Sequence, residues 1–196
     1  MRAIAPDIPR MTSPSTAAYG MTAEKFFRLP EGPPYFQLID GDLYMSPSPR
    51  RDHQNILLNL ASDLRFYLRQ NPLGKIYVAP SDVLFTDDRI LNPDLYFVCE
   101  ERRAILTDYG ASGAPDLVVE ILSPSTATLD LGRKREIYAE SGVEEFWVVS
   151  PKTRTVEVYR LRENPAEPMS VLADTDALTS ALFPGWSLAV ADVFRE

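Results

Sequence analysis

Cysteine is nearly missing from this chain: Cys99 is its single example. One thiol excludes an internal disulfide and any zinc site built on cysteines. Its apolar neighbours, Tyr96-Phe97-Val98, mark it as an inert buried thiol. Long hydrophobic runs are missing too, and none approaches the roughly 18 residues a membrane span needs. The first stretch carries Arg2 and Arg10 but no apolar centre, so a secretory signal is not expected there. These absences lead to the expectation of a cytoplasmic protein. Basic residues are in deficit, with 20 Lys and Arg against 28 Asp and Glu, a net charge of −8. That excludes a general polyanion binder held by a broad basic surface. It leaves room for an enzyme of nucleic acid, because clustered carboxylates are wanted where metal ions must be held. The local basic groups Arg50-Arg51, Arg102-Arg103 and Arg133-Lys134-Arg135 read first as solvated surface. There is no glycine loop to cradle phosphate and no nucleophile elbow of a serine hydrolase.

What is present suits one domain. With 196 residues, 45% of them hydrophobic, the chain can bury one good core. Residues 1–20, with Pro6, Pro9 and Pro14, read as a flexible tail ahead of a single domain over 21–196. Thr22 is placed to cap a helix over 23–29. Asp40-Gly41 lies between two short apolar runs, a strong hairpin signal. A helix running to about Gln70 opens at Ser48-Pro49, with Leu57, Leu60, Leu64, Tyr67 and Leu68 at helical spacing. Strands are expected over 76–85, 91–99, 117–122, 145–149 and 155–161, with loop and a little helix over 100–114. A second helix is expected over 130–141, ended by Gly142. The fold class that follows is mixed α/β, with a mostly antiparallel central sheet flanked by helices and an N-terminal hairpin.

Two carboxylates break this pattern. Glu120 interrupts the apolar run Leu117-Val118-Val119-Glu120-Ile121-Leu122, which reads as a strand buried on both faces. An uncompensated carboxylate there costs several kcal/mol. Asp94 follows Pro93 in a second apolar run, Leu91 to Cys99. On neighbouring strands the two would stand close and repel, unless a cation lay between them. Hard oxygen ligands at close quarters suit Mg2+ or Mn2+. At 100° per residue, Asp130, Lys134, Ile137 and Tyr138 share one helix face, and the two apolar members turn that face towards the sheet. Lys134 then points at the carboxylates. A divalent cation activates phosphoryl oxygen and water, and a lysine can position that water, so the set suits phosphodiester hydrolysis.

The run Pro115-Asp116-Leu117-Val118-Val119-Glu120-Ile121-Leu122-Ser123-Pro124-Ser125-Thr126 is specific. With the Pro93-Asp94 strand and the Asp130…Lys134…Tyr138…Gly142-Val143 spacing, it resembles the Uma2 family of the PD-(D/E)XK nuclease superfamily. The segments Leu38-Ile39-Asp40-Gly41-Asp42-Leu43, His53-Gln54 and Glu145-Phe146-Trp147-Val148-Val149 match as well, and the resemblance covers about residues 22–194. It implies a restriction-endonuclease-like core acting on DNA, with Mg2+ (or Mn2+) held by Asp94, Glu120 and the Ile121 carbonyl. Lys134 takes the place of the usual superfamily lysine, because Leu122 stands two residues after the glutamate. The family commonly has a glutamate in the first hairpin strand, where this chain has Gln37. A glutamine can accept from water or bind an ion weakly, but it brings no charge. Duplex cleavage needs two sites, which brings an expectation of a homodimer.

The alternatives are plain. Glu120 and Asp94 could belong to a structural ion-pair network, and Lys134 to a helix surface. Asp116 and Asp82 are turn residues or support for the site. His53 is structural, or touches the phosphate or the metal's surroundings, and Tyr138 is packing or support for the site. The rival function is a catalytically weakened module that binds nucleic acid or a protein. A purely structural protein is the third.

Overall fold

The computed structural model describes residues 20–30, 32–46, 48–123 and 127–196. But for Gly20, the expected tail lies outside them, as does Pro124-Ser125-Thr126. The chain runs α1 (Ala23–Phe26), β1 (Phe36–Ile39), β2 (Asp42–Met45), α2 (Arg51–Gln70), β3 (Gly74–Val78), β4 (Asp82–Thr86), β5 (Arg89–Leu91) and β6 (Leu95–Cys99). A 3-10 turn (Glu100–Ile105), β7 (Gly110–Ser112) and β8 (Leu117–Ile121) follow. Next comes one helical segment in three parts: α3 (Ala127–Leu129), a π-helical turn (Asp130–Lys134) and α4 (Arg135–Ser141). β9 (Glu145–Ser150), β10 (Thr155–Arg160), β11 (Ser170–Leu172), β12 (Ala177–Leu178), β13 (Leu188–Ala189) and α5 (Val190–Val193) complete it.

Two sheets carry the fold. The six-stranded sheet has the order β11-β10-β9-β8-β6-β3, and the five-stranded sheet β2-β1-β5-β4-β7. β8 pairs parallel with β9 and β4 with β7, while the other strand pairs are antiparallel. α2 covers one face of the large sheet, packing Leu57, Leu60 and Leu64 against Leu95, Leu117, Val119 and Ile121. α4 and the smaller sheet cover the other, where Tyr96, Val118 and Val148 meet Ile137, Tyr138, Val83 and Leu91. A strand so enclosed is apolar on both faces, which is why β8 reads as an apolar run broken only at Glu120. Among the described residues no helix is long and apolar enough to cross a membrane.

The hairpin forms as expected, its turn made by Asp40 and Gly41 with φ of 52° and 82°. Gly142 ends α4 at φ 89°. α1 is shorter than expected, and Thr22 makes no side-chain cap. The stretch 100–114 holds the 3-10 turn and β7 as well as loop.

The runs 76–85 and 91–99 are each two strands rather than one. Pro80 and Pro93 have no N–H for a ladder, and at each the chain changes sheet. β3 and β6 lie in the large sheet, and the β4-β5 hairpin between them lies in the small one. The crossings run side by side: Ser81 N–H donates to Asn92 Oδ1 at 2.9 Å and Ala79 N–H to the Asp94 carbonyl at 3.1 Å. Asp94 therefore stands at the junction of the two sheets, just before β6, and not within a strand.

Candidate active site

Glu120 is 2% exposed and lies on the β8 face that meets α4. Alternation along β8 sends Val119 and Ile121 to α2 and leaves Val118 and Glu120 facing the helix. From that helix Lys134 Nζ donates to Glu120 Oε1 at 3.1 Å, and the Tyr138 hydroxyl donates to the same oxygen at 2.5 Å. Both are residues expected on the inward face, and both are buried. Arg133, next to Lys134, points the other way and clamps Asp40 at the hairpin turn, at 2.5 and 2.7 Å. Arg133 and Arg89 hold the Asp40 carboxyl down at about 2. The hairpin thus fixes the rotation of the turn that carries Lys134.

Asp130 also faces inward, 2% exposed, with Oδ1 2.9 Å from Lys134 Nζ. It lies in the cluster, although the sequence marks it only by helix phase and by its place in the Asp130…Lys134…Tyr138 spacing. The signal was there: four residues before an inward lysine is the spacing of a helical ion pair. The turn from Asp130 to Lys134 is π-helical, a wide form frequent at functional sites.

Asp94 sits across the strand pair. β6 and β8 pair with Leu95 opposite Val119, which brings Asp94 opposite Glu120 one step on. Asp94 Oδ2 accepts from Ile121 N–H at 2.7 Å and lies 3.1 Å from His53 Nε2 on α2. Burial pulls the His53 pKa down, but the hydrogen bond and charge of Asp94 outweigh it, and the net shift is upward. The same register puts Ile121 opposite Pro93. The N–H of Ile121 faces Asp94, so its carbonyl points to the same side, towards a proline with no N–H to offer.

Charge is unbalanced here. Asp94, Glu120 and Asp130 surround one lysine, whose pKa burial lowers but whose carboxylate neighbours raise it on balance. Burial, with Asp130 and Asp94 nearby, outweighs the pull of Lys134 and Tyr138 and pushes Glu120 up to about 8. Both directions are compatible, since three carboxylates sharing one ammonium are relieved most cheaply by one added proton or by a cation. Among the described residues no three His, Cys, Asp or Glu side chains form a metal cage. Mg2+ does not need one, because one or two carboxylates with water and substrate phosphate suffice. Among the described residues Asp94 is held through Oδ2 and Glu120 through Oε1, and none hydrogen-bonds Asp94 Oδ1 or Glu120 Oε2. Hard oxygen donors and excess negative charge fit a divalent cation.

The other expected residues lie apart from this cluster. Gln37 Oε1 accepts from Asn92 N–H at 3.2 Å, and its Nε2 donates to Ser46 Oγ at 3.1 Å. Asp82 accepts from Asn92 Nδ2 at 2.8 Å. Asp116 sits at the far end of β8, accepting from Cys99 N–H and the Arg102 guanidinium, both at 2.7 Å. Asn92 joins Gln37, Asp82 and Ser81 two residues before Asp94.

The Uma2 family, described as "Putative restriction endonuclease", matches residues 23–191. The chain belongs to that family. The general class this membership supports is a nuclease. The crystal structure of a protein from Anabaena variabilis ATCC 29413, called "a putative nuclease belonging to DUF820", superposes with a TM-score of 0.74. The two are 23% identical, over 88% of this chain and 97% of that one, which shows a shared fold. None of the curated proteins compared matches the chain.

Proposed function

We propose that the protein is a Mg2+- or Mn2+-dependent endonuclease that hydrolyses DNA phosphodiester bonds. The observation that carries this is the cluster at the β6–β8 junction, three carboxylates around one buried lysine in a family of restriction-endonuclease type. Asp94 Oδ1, Glu120 Oε2 and the Ile121 carbonyl would hold the ion. When bound, the cation supplies charge for the phosphoryl oxygen and makes water a better nucleophile at neutral pH.

The protein's own groups do the rest. Tyr138 and Lys134 hold Glu120 through one oxygen, and His53 and the Ile121 N–H hold Asp94 through one oxygen. Lys134 donates to Glu120 and pairs by charge with Asp130, and its remaining N–H capacity is left to orient the attacking water or offset charge on the phosphate. Gln37 acts through Asn92, which it holds beside Pro93 and Asp94.

A plasmid-nicking assay with Mg2+ or Mn2+ tests this. Nicking that disappears in Glu120→Gln and Lys134→Ala is the expected result. Nicking unchanged in Glu120→Gln overturns it. One observation favours a second reading, a binding module of the same fold: Gln37 carries no charge where the family commonly has an acid. DNA binding without nicking in any metal would select that reading.

A further inference from the structure

A groove of about 680 Å3 opens on the five-stranded sheet, beside α1 and the β4–β7 pair. It contains neither Glu120 nor Lys134. Its lining is mostly apolar and aromatic, and three of its rings are turned to solvent: Phe27 is 51% exposed, Tyr35 44% and Tyr109 74%. Aromatic faces in the open, around a concave surface, form a platform on which flat rings stack.

The polar part of the lining is organised. Asn92 is fully used, donating to the Phe36 carbonyl and Asp82 Oδ1 and accepting from Ser81 N–H. Asp82 is half-buried, and among the described residues only Asn92 hydrogen-bonds its side chain, so Oδ2 is an acceptor without a donor. Its backbone is fixed as well: a Cβ on Gly110 would come within 1.9 Å of the Asp82 carbonyl, so β7 can lie here only with glycine at that position. The groove also adjoins the carboxylate cluster. Asn92 lines it and Asp94 follows two residues later, so their Cα atoms are no more than about 7–8 Å apart.

We propose that this groove holds an unpaired nucleobase of the strand being cut, stacked on Tyr109 and Tyr35, with an amino N–H given to Asp82 Oδ2. The inference rests on the nuclease reading above and adds a substrate class to it: single-stranded or locally opened nucleic acid, with the bases that carry an amino group (adenine, cytosine and guanine) preferred over thymine beside the cleaved phosphate. Stacking would supply the grip that a chain of net charge −8 cannot draw from the phosphate backbone.

Fluorescence anisotropy in EDTA, where nothing is cut, measures the binding of single-stranded oligo-dA, oligo-dC and oligo-dT of equal length to the full chain. The first two should bind about tenfold tighter than the third, the discrimination one good base contact provides. Tyr109→Ala should weaken all three about fivefold or more, the lower end of a lost stacking contact. Asp82→Asn keeps the bond from Asn92 and replaces the open oxygen by an N–H donor, so the preference over oligo-dT should be lost. Equal binding of the three oligonucleotides, no binding, or a Tyr109→Ala protein like the wild type overturns the inference. The two readings fail separately. Glu120-dependent plasmid nicking that Tyr109→Ala and Asp82→Asn leave unaltered would keep the nuclease and remove the base pocket. Base-selective binding without nicking in any metal would keep the pocket and remove the nuclease.

Discussion

Tyr138 donates its hydroxyl to Glu120 Oε1 at 2.5 Å, from a helix to the strand beneath it. Both groups are buried, and once the bond is lost Lys134 is the remaining described donor to that oxygen. Tyr138→Phe removes the donor and little volume. Above pH 8, where Glu120 is ionised, it should cost about 1.5–3 kcal/mol in urea unfolding, as a hydrogen bond to a charged group does. It should also weaken Mg2+ stabilisation in thermal unfolding, because Glu120 loses a group that favours its ionised form. An unchanged midpoint and an unchanged Mg2+ response would show that the bond is incidental.

Lys134 is shared between Glu120 and Asp130, at 3.1 and 2.9 Å. Lys134→Met strands both carboxylates, and a broken buried pair costs about 3–5 kcal/mol. Adding Glu120→Gln and Asp130→Asn should recover part of that loss, because the charges left unpaired are then gone. Denaturant unfolding of the single and combined variants reads the coupling, expected at about 0.5–3 kcal/mol. Strict additivity would mean that the three side chains do not act together. None of these variants should nick DNA, so stability and activity move apart in the combined one.

Much of this cluster was legible in the sequence, for a physical reason. A carboxylate in a run as apolar as Leu117 to Leu122 is costly enough to demand partners, and helical phase named Lys134 and Tyr138 as candidates. The sheet crossings were not legible. Ile76 to Phe85 and Leu91 to Cys99 are mostly apolar, because both halves of each pack on the core, though in different sheets. Only Pro80 and Pro93 marked the breaks, and a proline alone does not say where the chain goes next. Asp130 was on the right face, but its role depends on a π-helical turn that residue spacing does not announce.

Glu120, pushed up to about 8 from 4.5, gives stability a pH dependence. Between those values the folded state keeps a proton that the unfolded chain has released. Metal-free stability should therefore fall as pH rises from about 5 to 8. A divalent cation competes with that proton, so the rise in Tm on adding Mg2+ should be larger at pH 8 than at pH 5.5. Thermal unfolding in EDTA and in Mg2+ across this range measures both slopes. In Glu120→Gln the metal-free slope should flatten and the Mg2+ gain shrink. A gain independent of pH would count against Glu120 as a ligand.

Gln37 decides between the catalytic and the binding reading. Its oxygen accepts from Asn92 N–H and its nitrogen donates to Ser46, so it works as a brace between β1 and the junction that carries Asp94. Gln37→Glu keeps the acceptor for Asn92, and the Ser46 hydroxyl can turn to donate in place of the lost amide. The fold should survive, and the substitution adds the charge common in the family. If bracing is what the position supplies, Mg2+-dependent nicking should change by less than about tenfold, or 1.4 kcal/mol. Gln37→Ala should do more harm, because it strands the Asn92 N–H at a cost of about 1–3 kcal/mol. Its nicking should fall with that loss, and its Mg2+ response should weaken. A far more active Gln37→Glu protein would show that the wild-type site is short of charge. The lysine and carboxylates would then be a nuclease site kept mainly for binding, with one acid removed.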